Sequence, residues 1–144
     1  MIKSKFSSIF IALPICFIAS CSASQNESAI IFKCHADKPT PIDVVVSEHD
    51  GSYKLMQFNT AQVKLTEMTS ISDASKSSYH RSLVNEHSMT FTHNGNKITL
   101  SDYHSEELGM ITKEKSVTIE HDDKKDYWLC DDSSVSKLSS IENF

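Results

Sequence analysis

Seven histidines, at positions 35, 49, 80, 87, 93, 104 and 121, are the side chains of this 144-residue chain best suited to holding a metal or moving a proton. They occur one at a time. Two ligands on one face of a strand stand two residues apart, and the chain contains no His-x-His; His80 and His87 lie seven apart across a possible turn. The spacing supplies no metal site by itself, only a composite one that the fold would have to assemble, and scattered surface histidines are the simpler reading. The pairs Glu106-Glu107, Asp122-Asp123 and Asp131-Asp132 invite hydrolysis or calcium binding. Adjacent strand residues point to opposite faces, so none of these pairs makes a shared site. Asp122-Asp123-Lys124-Lys125-Asp126 reads as a charged, solvated hairpin tip. There is no G-x-S-x-G and no H-E-x-x-H, and three glycines are too few for a phosphate-cradling loop. No catalytic residue, metal or cofactor is expected.

The cysteines suggest a different chemistry. Lys3 and Lys5, an apolar run from Ile9 to Ala19 broken by Pro14, and small residues before Cys21 form an export signal over residues 1–20. The run is shorter than the roughly 20 residues a membrane span needs. Ile18-Ala19-Ser20-Cys21 resembles the bacterial lipobox, which implies that Cys21 becomes the lipidated first residue; cleavage after Ala23, discarding Cys21, is the alternative. Several acyl chains anchor firmly where one is marginal. Ser22 stands where a retention signal for the inner membrane would resemble Asp, so the expected location is the periplasmic side of the outer membrane. Cys16 leaves with the signal and Cys21 takes lipid, which leaves Cys34 and Cys130 as the one intrachain pair, in a compartment that favours oxidation. Cysteines this far apart show no zinc-ligand spacing.

Removing the signal takes two lysines and no acid, so 14 basic against 19 acidic residues becomes 12 against 19, a net charge of −7. Nucleic acid is an unsuitable partner for such a chain, whereas a basic protein suits it. A mature chain of about 124 residues makes one domain with one core.

The elements that would position a site are short and β-rich. Residues 21–28 are a polar tether, and structure begins at Ala29-Ile30-Ile31-Phe32-Lys33-Cys34. Asn94-Gly95 as a two-residue turn sets Phe91 against Ile98 and Met89 against Leu100 on one face, with threonines 90, 92 and 99 on the other. Asp50-Gly51 sets Val46 against Leu55, although its other pairs are less regular. A turn spanning Asp122 to Lys125 sets Ile119 against Trp128 and Val117 against Cys130. Further strands are expected at Ala61 to Met68, Ser82 to Val84 and Leu108 to Thr112. Ser70 to Ser78 reads as an exposed loop or short helical turn. The β domain is expected over residues 29–132, with 133–144 a polar C-terminal tail that frays or forms a short helix through Val135, Leu138 and Ile141. The pattern predicts an all-β fold, a small antiparallel barrel or sandwich of about eight strands with one disulfide.

Polar loops on a rigid β scaffold commonly carry recognition, and Tyr79 gives the Ser70 to Tyr79 segment an aromatic anchor. At these residues the chain resembles the membrane-bound inhibitors of C-type lysozyme. Phe32-Lys33-Cys34 with Lys38-Pro39 is similar to the family's opening aromatic-x-Cys segment, and Gln62-Val63-Lys64-Leu65 to the strand before its inhibitory loop. That loop follows a pattern close to S-A-S-G-A-R-Y; here Asp73-Ala74-Ser75-Lys76-Ser77-Ser78-Tyr79 keeps Ser75 and Tyr79, with Lys76 in place of the glycine and Ser78 in place of the arginine. A second loop, with a tryptophan and a lysine in the family, corresponds to Asn85-Glu86-His87-Ser88, and an extra hairpin precedes Cys130. The resemblance implies an eight-stranded barrel and a non-enzymatic lipoprotein. It would block a protein partner, a lysozyme-like hydrolase or secreted antibacterial effector, through Asp73, Ser75, Lys76, Tyr79, Glu86 and His87. A structural or assembly lipoprotein of the envelope, or a histidine-based metal-binding module, would be the alternatives.

Overall fold

A computed structural model describes residues 28–141. The export signal, Cys21 and residues 21–27 of the tether lie outside the described residues, as do residues 142–144. The chain runs through β1 (Ala29–Ala36), β2 (Ile42–His49), β3 (Ser52–Asn59), β4 (Thr69–Ile71), β5 (Ser75–Arg81), β6 (Val84–His93), β7 (Asn96–Ser105), β8 (Thr112–His121), β9 (Lys124–Leu129) and β10 (Val135–Ser136). These form two five-stranded antiparallel sheets, ordered β10-β1-β2-β3-β4 and β5-β6-β7-β8-β9. Neither sheet closes on itself. The architecture is an open sandwich rather than a barrel.

Alternation explains the layering. Ile42, Val44 and Val46 of β2, with Phe32, Leu55 and Phe58 from its neighbours, turn inward from the first sheet. Met89, Phe91, Ile98, Leu100, Val117 and Trp128 do so from the second. Burying a side chain of this size contributes roughly 1.5–3 kcal/mol. Cys34 on β1 is bonded to Cys130 just beyond β9, with Cα atoms 5.2 Å apart, so the disulfide ties one sheet to the other. Trp128 adds a second tie by donating its indole N–H to the Thr40 carbonyl at 2.9 Å.

Where turn chemistry is strong, the expected registers hold. His93 faces Asn96 across a two-residue turn in which Asn94 (φ 49°) and Gly95 (φ 76°) both occupy the left-handed region. Phe91 pairs with Ile98 and Met89 with Leu100. Val46 pairs with Leu55, and a bulge between Val45 and Val46 accounts for the irregular pairs beyond it. The third hairpin differs by two residues. Its turn contains only Asp122 and Asp123, so Val117 faces Trp128 and Ile119 faces Asp126. A shift of two preserves the face, which is why Val117 and Trp128 still enter the core.

Four expected elements are corrected. Residues 61–68 form a loop, folded on itself where Thr60 Oγ1 accepts the N–H groups of Gln62 and Val63 at 3.3 and 3.0 Å. Ser82 and Leu83 are the tight turn between β5 and β6, not a strand. Residues 107–109 make a 3₁₀ turn, and the strand begins only at Thr112. Most consequentially, Ser70 to Ser78 is divided between β4 and β5 and is not a loop. The C-terminal segment is also part of the fold: β10 pairs with β1 through Phe32–Ser136 and Lys33–Val135, and Leu138 is fully buried in the core.

Candidate functional site

Strand β5 carries Ser75, Lys76 and Tyr79, half of the expected binding residues, and its pairing with β6, which carries Glu86 and His87, decides which of them meet. Ser75 faces Thr90, Lys76 faces Met89, Ser78 faces His87 and Tyr79 faces Glu86. Directly paired residues project to the same side. Since Met89 is buried, Lys76 and His87 lie on the inward side of the sheet, and Ser75, Tyr79 and Glu86 on the outward side. The ammonium of Lys76 stands over the Tyr53 ring, 5.9 Å from its centre. Asp73 sits in the turn that crosses between the sheets, where its Oδ2 accepts the Thr92 N–H at 2.9 Å and fixes the start of β5. The structure thus brings Tyr79 and Glu86 together and puts Lys76 and His87 on the opposite face. Ser75 to Tyr79 is an edge strand with its side chains largely exposed, and it cannot insert into a cleft as a loop.

What protrudes from the same end is apolar, and the expected binding set does not include it. Leu83 in the β5–β6 turn is 52% exposed; Leu108, Met110 and Ile111 between β7 and β8 are 95%, 67% and 68% exposed. The two turns are joined, because the Glu106 N–H donates to the Leu83 carbonyl at 2.9 Å. Leu108 is held at φ 54°, a left-handed conformation that costs a residue with a Cβ about 1–2 kcal/mol. Contiguous exposed apolar groups mark interaction surfaces. The signal in the sequence is the run Leu108-Gly109-Met110-Ile111, which does not alternate and follows two glutamates.

Titratable groups with shifted affinities lie away from this tip. His35 Nδ1 is 2.7 Å from Asp43 Oδ1, and this hydrogen bond raises the imidazole above its ordinary value. Ser134 Oγ accepts the His35 backbone N–H at 3.0 Å and donates to Asp131 Oδ1 at 3.1 Å. The Ser133 hydroxyl, 2.7 Å from the same oxygen, is the main cause holding the Asp131 carboxyl low. The cluster ties the C-terminal segment to β1 beside the disulfide. His93 is buried edge-on against Phe58, ring centres 5.4 Å apart, and burial lowers its affinity for a proton. Glu120 bridges Lys125 and Lys97 at 3.2 and 3.3 Å, and these hydrogen bonds hold it below the usual carboxylate range. His80 hydrogen-bonds Asn85, which stands between it and His104 on the inward face. Among the described residues, no group of three His, Cys, Asp or Glu side chains could hold a metal ion, and no helix is long and apolar enough to cross a membrane.

Comparison of the chain with protein-family models, with curated proteins and with solved structures found no match. The fold and the site define a disulfide-linked β-sandwich with an exposed edge strand and an apolar tip at one end.

Proposed function

We propose that this chain is a lipid-anchored lipoprotein on the periplasmic side of the outer membrane that binds and blocks a hydrolase, lysozyme-like or a secreted antibacterial effector, and performs no chemistry itself. The observation that carries the reading is the tip: Leu83, Leu108, Met110 and Ile111 are held out in solvent on two hydrogen-bonded turns. Inserting such side chains into a cleft recovers roughly 25 cal/mol for each Å² of apolar surface removed from water. Glu106 and Glu107 flank the tip, and the mature chain is acidic, so a cationic enzyme is the partner whose charge complements it. The contact expected through Ser75 to Tyr79 becomes a flanking one. Tyr79 supports it as an exposed aromatic beside Glu86, and the open edge of β5 supports it as a strand able to pair with a partner's backbone.

The test is inhibition of purified lysozymes and wall-degrading effectors by the mature protein, and by variants Leu108→Asp with Met110→Asp and, separately, Tyr79→Ala. Loss of a central anchor costs about 2 kcal/mol or more, so the Asp pair should weaken inhibition at least tenfold with an unchanged melting midpoint. Inhibition that survives the Asp pair moves the contact away from the tip, and failure to inhibit any of these enzymes sinks the reading.

A further inference from the structure

The outward face of the second sheet holds a separate feature, formed by its hairpin registers. Ser101 of β7 faces Ser116 of β8; toward the Asn94 turn the next outward pair is Thr99 with Thr118, and toward the apolar tip it is Tyr103 with Glu114. Tyr127 of β9 stands beside Thr118, and Glu86 of β6 stands beside Tyr103. Small hydroxyl side chains between taller neighbours leave a depression of about 420 Å³. Tyr103 and Tyr127 stand on opposite sides of it, two strands and four residues apart, which is about 16 Å from strand spacing and rise.

The lining excludes most ligand classes. Glu86 and Glu114 oppose a polyanion. They flank Tyr103 on either side, and among the described residues no group of three His, Cys, Asp or Glu side chains could hold a metal ion. The floor is Ser101 and Ser116, with no aliphatic side chain for an acyl chain to cover. Strands β7 and β8 are paired on both sides, so no backbone edge is open to an extended peptide here. What the surface offers is hydroxyls that both donate and accept, two carboxylates that accept, the Lys125 ammonium at the β9 side, paired with Glu120 at 3.2 Å and still able to donate, and two aromatic rings whose negative faces attract C–H groups. A sugar chain presents the matching set: many hydroxyls around rings with C–H faces. We propose that this face binds a linear neutral or N-acetylated oligosaccharide, laid across β7 to β9 against Tyr103 and Tyr127. The site is distinct from the tip and does not depend on the hydrolase reading.

Calorimetric titration of the mature protein, in detergent, with chitotetraose and with cellotetraose tests it. At least one of them should bind saturably, with affinity insensitive to salt because the ligand is uncharged. Tyr103→Ala should weaken binding at least tenfold, and Ser101→Arg, which fills the depression, should abolish it. Both substitutions are on a solvent-facing surface, and an unchanged thermal midpoint verifies the fold. The Leu108→Asp, Met110→Asp pair should bind sugar as the native protein does, so loss of sugar binding and loss of hydrolase inhibition are separately readable. Absence of binding by both sugars at millimolar concentration overturns the proposal. So does binding that both face variants leave unchanged, or salt-sensitive binding of tetralysine in place of either sugar.

Discussion

His35, bonded to Asp43, and His93, shut against Phe58, respond to pH in opposite directions. The hydrogen bond to Asp43 raises His35 above its ordinary 6.5. Its contribution is complete below that value and is lost as pH rises through the folded-state value. Burial lowers His93, so the folded state resists its protonation; that contribution is complete above 6.5 and is lost as pH falls toward the folded-state value. Urea midpoints measured on both sides of neutrality should therefore lose their alkaline decline in His35→Gln and their decline just below neutrality in His93→Gln. A profile that neither change alters would mean that other groups set it. The His35 effect should be the smaller, because its pair with Asp43 is partly exposed and screened. Leu108 gives a second residue-scale test. Replacing it by glycine removes the left-handed penalty but frees the unfolded chain, leaving a gain of up to about 1 kcal/mol. Thermal melts should show the variant at least as stable as the native protein, while inhibition weakens through loss of the exposed leucine.

At the scale of elements, the C-terminal segment contributes more than its composition suggests. Leu138 is fully buried under a 3₁₀ turn, and the Lys137 N–H donates to the Ile31 carbonyl at 2.8 Å. Leu138→Ala should cost about 2–5 kcal/mol in urea unfolding, the range for a leucine removed from a packed core; a cost below about 1 kcal/mol would show that this turn leaves the core without loss of packing. The segment was hard to read because Val135, Leu138 and Ile141 stand alone among serines and charges, and what fixes them is β1, about a hundred residues earlier. Turn residues made other elements legible. Asn94-Gly95 and Asp50-Gly51 specify their loop lengths, and hence the register of their hairpins, through backbone conformations that few residues adopt. Asp122-Asp123-Lys124-Lys125 has no glycine to mark its centre, and its register lies two residues from the one its sequence suggests. β5 gives no strand signal because an edge strand exposed along most of its length does not alternate, and Ala61 to Met68 gives a false one because Val63 and Leu65 alternate without being fully buried. The residues expected on two binding loops lie instead on paired strands, with Ser75, Tyr79 and Glu86 on the outward face and Lys76 and His87 on the inward one.

The described residues form two sheets that the chain joins at few places: the turn holding Asp73, the return of β10 to β1, and the disulfide. The sheet edges are guarded unequally. β4 has three residues and β10 two, whereas β9 offers six and β5 seven, each carrying charged side chains, Lys124, Lys125 and Asp126 on β9 and Lys76 and Arg81 on β5. The longer edges therefore lie on the sheet that also bears the apolar tip and the hydroxyl-lined depression, and the first sheet serves to cover its inner face. That division makes the Cys34–Cys130 bond decisive, because the strands it joins are 96 residues apart in sequence and on different sheets. Releasing it frees a loop worth up to about 4.7 kcal/mol of chain entropy, with measured losses typically about 2–5 kcal/mol. For a domain with a margin of about 5–15 kcal/mol, that is a large fraction. The double variant Cys34→Ala, Cys130→Ala should unfold at a clearly lower urea concentration, with a loss of at least about 2 kcal/mol. Its spectrum should stay native below the transition, since β10, the Trp128 to Thr40 bond and the core contacts remain. An unchanged midpoint would place the coupling of the sheets in those contacts alone.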